Sequence, residues 1–158
     1  MTSGDELRTL MRRYPSGVAV VTAAVEGQRV GATIGSLVSL SLEPPLVGVS
    51  IGKQGSLHEP LRRAQGFAVS LLGEGQEGIA QHFGRSGIPP LVMWVGVKVR
   101  AGPEGAPLLE DAIGWLSCRT QARHDAGDHT FFVAEVISLE LGRNARPLVY
   151  LDRDYVVP

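Results

Sequence analysis

The sequence predicts a mainly β protein, a closed or partly closed antiparallel barrel with two or three peripheral helices. Three observations carry this. Glycine and proline are frequent, 20 Gly and 10 Pro in 158 residues, and they cut the chain into short apolar stretches. Those stretches are rich in β-branched residues, and several alternate apolar with polar positions. The chain is long enough for one domain, residues 1–158, with a core of its own, and it has no linker, internal repeat or low-complexity segment. Many short strands in one such chain are most simply accommodated by an antiparallel sheet that curls on itself.

The elements follow in order. Ser3 with Glu6 three residues later is a capping-box pattern, and Leu7, Leu10, Met11 and Tyr14 then share one helical face. Pro15 and Gly17 stop that helix. Residues 18–25, VAVVTAAV, read as a strand, 26–28 as a turn, and 29–33 as its antiparallel return. In 37–42, LVSLSL, the alternation is that of a half-buried strand. Pro44-Pro45 interrupts, and 46–51 resumes. A helix is expected from Ser56, with Glu59 at its third position and Pro60 inside the first turn, where proline is tolerated. A strand at 67–72, a helix at 76–83 weakened by Gly78, and a loop at 84–90 follow. Residues 93–100, 114–123 and 129–141 read as strands, the last two joined by a tight hairpin connection, HDAGD. Residues 147–155 read as a short strand followed by a tail. The total is eight or nine strands.

Composition removes several function classes. The net charge of −1 gives no general pull toward nucleic acid or an anionic membrane surface. No apolar run approaches the roughly 18 residues of a membrane span. The polar, amphipathic start lacks the apolar core of a secretion signal. The single cysteine, Cys118, rules out an intrachain disulfide framework, and a cytoplasmic protein is expected. Cys118 alternates with Leu116 and Thr120, the position of a core thiol rather than a nucleophile. There is no P-loop. Neither GEGQEG (73–78) nor GKQGSL (52–57) has the spacing of a Rossmann glycine fingerprint.

Three stretches carry the remaining chemistry. GATIGSLVSLS (31–41) is rich in small and hydroxylated residues where two strands meet. SIGKQGS (50–56) is a strand end followed by a glycine loop with Lys53. Such a loop is either a phosphate cradle or a plain strand-to-helix turn. GDHTFFVAEV (127–136) starts an apolar strand with Asp128, His129 and Thr130, which fits a pocket at the strand's end or a solvated turn. His124, Asp125, Asp128 and His129 match no ligand spacing that specifies a metal, and a hairpin turn is the better reading, with no metal expected.

In order along the chain, YPSGVAVVTA (14–23), GATIGSLVSLSLEPPLVGVSI (31–51), FAVSLLGEGQEGIAQHF (67–83), GDHTFFVAEV (127–136) and PLVYLDRDY (147–155) resemble the flavin reductase family. These are FMN-binding split β-barrels, antiparallel and Greek-key-like, that serve as reductase components of two-component flavin-dependent monooxygenases. The resemblance covers nearly the whole chain. It implies reduction of FMN or FAD by hydride transfer from NADH or NADPH, a homodimer, and a partner monooxygenase reached through free reduced flavin. It also implies that Thr33, Ile34, Gly35 and Ser36 line the flavin. Ser50, Ile51, Gly52, Lys53 and Ser56 would pass near the ribityl chain and phosphate. Phe83, Gly84 and Arg85 would cover the flavin's other end. His129 would lie near the nicotinamide and act in the catalytic step by hydrogen bonding. The chain has Thr33-Ile34-Gly35-Ser36 where the family commonly has Thr-Ala-Ser-Ser, and Gly52-Lys53-Gln54-Gly55 where it commonly has Asn-Arg-Ser-Ser. Backbone N–H groups, Lys53 and Ser56 are then left to compensate for hydroxyls on the phosphate side. A flavin-binding electron carrier or sensor of the same fold, without reductase turnover, is the alternative.

Overall fold

The structure is a computed structural model that describes residues 1–158. Its strands are β1 (Ser16–Gly17), β2 (Ala19–Val25), β3 (Gln28–Ile34), β4 (Val38–Leu42), β5 (Pro45–Gly52), β6 (Gly66–Leu71), β7 (Val99–Ala101), β8 (Pro107–Leu109), β9 (Gly114–Ala126), β10 (His129–Leu141), β11 (Val149–Leu151) and β12 (Asp154–Val156). The helices are α1 (Gly4–Met11), α2 (His58–Arg63), α3 (Glu77–Gly84) and the single turn α4 (Pro90–Met93). No helix is long and apolar enough to cross a membrane.

Seven strands form one antiparallel sheet in the order β3-β2-β6-β9-β10-β5-β4. The order itself forces curvature. Laid flat, strands about 4.8 Å apart would set the two edges, β3 and β4, about 29 Å from each other. Those edges are consecutive in the chain, and the Cα atoms of Ile34 and Val38 cannot be more than about 15 Å apart. The sheet therefore wraps round until β3 and β4 approach, with no ladder of hydrogen bonds between them. This is a barrel split along one seam, and the fold is mainly β as expected.

Val20, Val21, Val49, Val69 and Phe132 have no residual exposure. Ala19 through Ala23 are buried without alternation, because β2 is covered on both faces, by the barrel interior and by α2, α3 and β8. The buried Thr22 hydroxyl donates to the Pro107 carbonyl at 2.6 Å and ties β8 to this strand. A small sheet, β1-β11-β12, packs beside the barrel's open seam.

Several expectations are corrected. Residues 93–100 are not one strand. Pro90 starts the α4 turn, Gly96 takes φ +75°, and only Val99–Ala101 pair. Ser56 does not cap a helix; α2 begins at His58, after a turn in which the His58 N–H reaches the Gly55 carbonyl. The C-terminal residues form a hairpin, β11–β12, rather than a tail, with Asp152 and Arg153 both at positive φ. That turn usually shows itself through Asn or Gly, and neither is present. With β1 and these short pairs there are more strands than expected. The β9–β10 connection is shorter than expected, only Gly127 and Asp128, with Gly127 at φ +64°.

The alternation in β4 places Val38, Leu40 and Leu42 at 42%, 45% and 88% exposure, not in the core. The apolar face of α1 is likewise open, although its capping box forms with bonds of 2.8 and 3.2 Å. Ile137, Leu139 and Leu141 extend β10 beyond its pairing with β5 and are exposed too.

Candidate active site

A cleft of about 710 Å³ opens at the seam, where the end of β3, the end of β5, the C-terminal end of α3 and the start of β10 converge. β3 contributes Gly31, Ala32, Thr33 and Ile34, and the link to β4 adds Gly35 and Ser36. β5 contributes Ser50, Ile51 and Gly52, and the loop after it Gln54, Gly55, Ser56 and Leu57. Phe83 and Gly84 end α3, and Arg85, Ser86 and Gly87 follow. His129 completes the rim, directly opposite Gly52 in the ladder. All the residues expected from the resemblance line this cleft except Lys53.

The cleft is held open by internal bonds. The Ser36 hydroxyl donates to the Ser50 carbonyl at 2.9 Å and accepts the Ser50 N–H at 3.0 Å, latching the seam to β5. The Thr33 hydroxyl donates to the Ala80 carbonyl at 2.7 Å and fixes β3 to α3. Phe83 is buried, packed against Trp94 with ring centroids 5.1 Å apart. A Cβ on Gly31 would sit 3.3 Å from the Phe83 ring, so glycine here lets the wall close up behind the cleft. The surface that results is built largely from small residues, with hydroxyl and backbone groups around it. A planar heteroaromatic ring fits such a surface, because the backbone can approach its face closely.

The electrostatics are sparse. Arg85 is the only formally charged side chain that lines the cleft, and it belongs to none of the ion pairs. Lys53 is turned away. Its Nζ pairs with Asp125 at 3.1 Å, and its N–H donates to the Asp128 carbonyl at 2.9 Å. The Asp128 carboxylate accepts from His129 Nδ1 at 2.7 Å. That hydrogen bond, and then the ring's charge, hold the Asp128 carboxyl below its ordinary range. With Nδ1–H committed to Asp128, Nε2 is the ring's free nitrogen. It lies 3.7 Å from where a Cβ of Gly52 would be, at the cleft's rim. The neutral ring offers an acceptor there, the protonated ring a donor.

Two other histidines serve the fold. His58 Nε2 lies 2.7 Å from the Thr130 hydroxyl, and His82 Nε2 donates to the Met93 carbonyl at 2.6 Å. In the HDAGDH run, Asp125 and Asp128 are engaged by Lys53 and His129. Burial pushes the Cys118 thiol up to about 12, so it is no nucleophile. Gln54 and Gly55 lie inside a stretch singled out from the sequence, whereas Ser86 and Gly87 belong to a loop whose composition says nothing about a cleft. A second groove, of about 540 Å³ beside Glu74, Glu110 and Asp111, includes none of the expected residues. Arg143 crosses it, donating to the carbonyls of Asp111 and Glu74 at 2.5 Å each.

Residues 11–157 match the family described as the flavin reductase like domain. The chain is 36% identical over 151 residues to the reductase component of a 4-hydroxyphenylacetate 3-monooxygenase from Thermus thermophilus, covering 96% of this chain and 94% of that one. It is 40% identical over 150 residues to an NADH-dependent FMN reductase from Streptomyces nodosus subsp. asukaensis, covering 92% and 80%. The structure of the NADH:FAD oxidoreductase SgcE6 from Streptomyces globisporus superposes with a TM-score of 0.92 at 33% identity, covering 99% of this chain and 96% of that one.

Proposed function

Because the chain belongs to the flavin reductase like domain family, we propose that it is an NADH-dependent flavin reductase that supplies reduced FMN or FAD to a partner monooxygenase. The observation that carries this reading is the convergence of the small-residue end of β3, the end of β5 and His129 on one cleft. When flavin and nicotinamide are both bound, they supply the hydride chemistry themselves. The chain's residues have to hold two flat rings face to face and to exclude other geometries. Gly31 to Ser36 provide a close backbone approach on one side. Arg85 attracts the phosphate. His129 Nε2 accepts a hydrogen bond from the nicotinamide carboxamide, in the orientation that Asp128 fixes. No nucleophile and no carboxylate acid is needed for this chemistry.

The working unit of this reading is a homodimer in the cytoplasm. Leu42 pairs with Pro45, and Leu46 with Glu135, so Leu42 lies at the same end of the sheet as the exposed Ile137. Leu139 and Leu141 continue this exposed apolar stretch along β10, and α1 leaves Leu7, Leu10, Met11 and Tyr14 exposed, apolar side chains that a second copy of the chain would cover. Light scattering should give twice the chain mass at micromolar concentration; a monomer there argues against the dimer.

The function itself is tested by following NADH oxidation while free FMN or FAD is added. Turnover that rises and saturates with flavin supports the reductase. Stoichiometric flavin retained by the protein, with no steady oxidation, would make it a carrier instead.

A further inference from the structure

A second, smaller pocket of about 170 Å³ adjoins the main cleft and shares Thr33, Ile34, Gly35 and Gly84 with it. Its far side is made by the β1-β11-β12 sheet. Ser16 lies opposite Tyr150, and Tyr150 opposite Tyr155, so the three side chains form one row across that sheet. The two tyrosine rings are 5.2 Å apart at 56°. The row is set against the seam. A Cβ on Gly35 would come within 2.5 Å of the Ser16 hydroxyl, so the small sheet touches the same residues that floor the cleft. The turn of the hairpin is pinned as well, the Asp152 N–H donating to the Arg12 carbonyl at 3.0 Å.

The annex differs in chemistry from the cleft. No formally charged side chain lines it; it offers aromatic faces, glycine backbone and hydroxyls. Burial, and then the neighbouring Tyr150, push the Tyr155 phenol above its ordinary range, so it stays a neutral donor at physiological pH. Such a place suits a flat, uncharged heteroaromatic ring and does not suit a phosphate. Where the two pockets meet, Gly84 is followed directly by Arg85.

From this arrangement we propose that the annex is an adenine subsite. The adenine of a dinucleotide stacks on the Tyr150–Tyr155 pair, its pyrophosphate passes Arg85, and its reactive ring lies in the main cleft. This rests on the flavin reductase reading. Two substrates of that reaction carry adenine, FAD and NADH, and each has a counterpart without it, FMN and reduced nicotinamide mononucleotide.

Kinetics of Tyr150→Ala and Tyr155→Leu with all four compounds test it. Base stacking on an aromatic side chain is strong enough that the KM ratio of one dinucleotide to its mononucleotide should rise about tenfold. A rise for FAD over FMN assigns the subsite to flavin adenine; a rise for NADH over its mononucleotide assigns it to NADH. Tyr150→Phe should restore the ratio. In the unaltered protein, adenosine, which has no phosphate to meet Arg85, should compete with the same dinucleotide and not with its mononucleotide, a readout independent of whether the variants fold. Unchanged ratios in folded variants, or adenosine that competes with neither dinucleotide, overturn the subsite. Oxidation of NADH by the unaltered protein with free FMN or FAD added reports on the reductase reading alone, so its absence would overturn that reading separately.

Discussion

Replacing Arg85 with alanine removes the only formal charge that lines the cleft, and riboflavin, which lacks the phosphate, is the internal control. Two unit charges about 4 Å apart attract by about 1 kcal/mol in bulk water and about 4 kcal/mol at the effective dielectric of a protein surface. A lost hydrogen bond to a charged group costs about 1.5–3 kcal/mol. Arg85 is exposed, so water screens it, and the low end applies. About 1.4 kcal/mol is a tenfold change in affinity. Arg85→Ala should therefore raise the KM for FMN about tenfold and leave that for riboflavin nearly unchanged. The advantage of FMN over riboflavin should also shrink as salt is raised, since charges are screened over about 10 Å at 0.1 M. Lys53→Ala is the contrasting variant. Its Nζ is held by Asp125 at 3.1 Å, outside the cleft, and surface pairs of this kind contribute at most about 1 kcal/mol. It should alter the FMN to riboflavin ratio by less than about twofold. NADH oxidation at saturating NADH, with each flavin titrated in turn, measures both. Equal losses for FMN and riboflavin in Arg85→Ala, or a larger FMN effect in Lys53→Ala, would show that Arg85 does not hold the phosphate.

His129→Ala should lower kcat/KM for NADH about tenfold, the loss of one good hydrogen bond, while flavin affinity and melting temperature stay nearly the same; a lower melting temperature with unchanged kinetics would make His129 a turn residue only. The Asp128 carboxyl titrates below its usual value because His129 donates to it, and a depressed carboxyl contributes above its unfolded pKa. The Asp128–His129 contact should therefore be intact at neutral pH and lost only as the pH falls below about 4, which the chemical shifts of the His129 ring would report. Cys118, pushed up to about 12 by burial from 9.0, should resist iodoacetamide at pH 8 in the native protein and react rapidly once unfolded. Its raised pKa means the stability it contributes is complete below about 9 and falls as the pH rises toward 12, measurable as a declining melting temperature.

The sequence makes the strands legible where apolar residues and turn glycines agree, as in β2, β3 and β10. It misleads where burial and pattern part company. The alternation of β4 and the helical face of α1 are both real, but the surfaces they mark are exposed in the single chain. A pattern records that a face is apolar and not what covers it. The β11–β12 hairpin was hidden because Asp152 and Arg153 adopt left-handed backbone without glycine or asparagine to announce it. With that hairpin unseen, the Tyr150–Tyr155 annex could not be anticipated. Most of the cleft was within reach because its residues lie at strand ends in runs of small residues, and motif order gathers them. Lys53 shows the limit of proximity in sequence. It follows Gly52 directly, yet it is drawn to Asp125 across the β9–β10 rim, a pairing that depends on register.

Flavin reduction in the cleft at the barrel's seam is tested directly by Ser50→Trp. Ser50 lines the cleft, while its latch to Ser36 uses only backbone atoms of Ser50, so the substitution fills the space and spares the bond. The measurement is the anaerobic loss of FMN's visible absorption after NADH is added, with the unaltered and Ser50→Trp proteins side by side and circular dichroism to confirm that both are folded. Rapid bleaching is expected with the unaltered protein, and bleaching no faster than the protein-free rate with Ser50→Trp. Bleaching at the same rate with both proteins, or none with either, would contradict it.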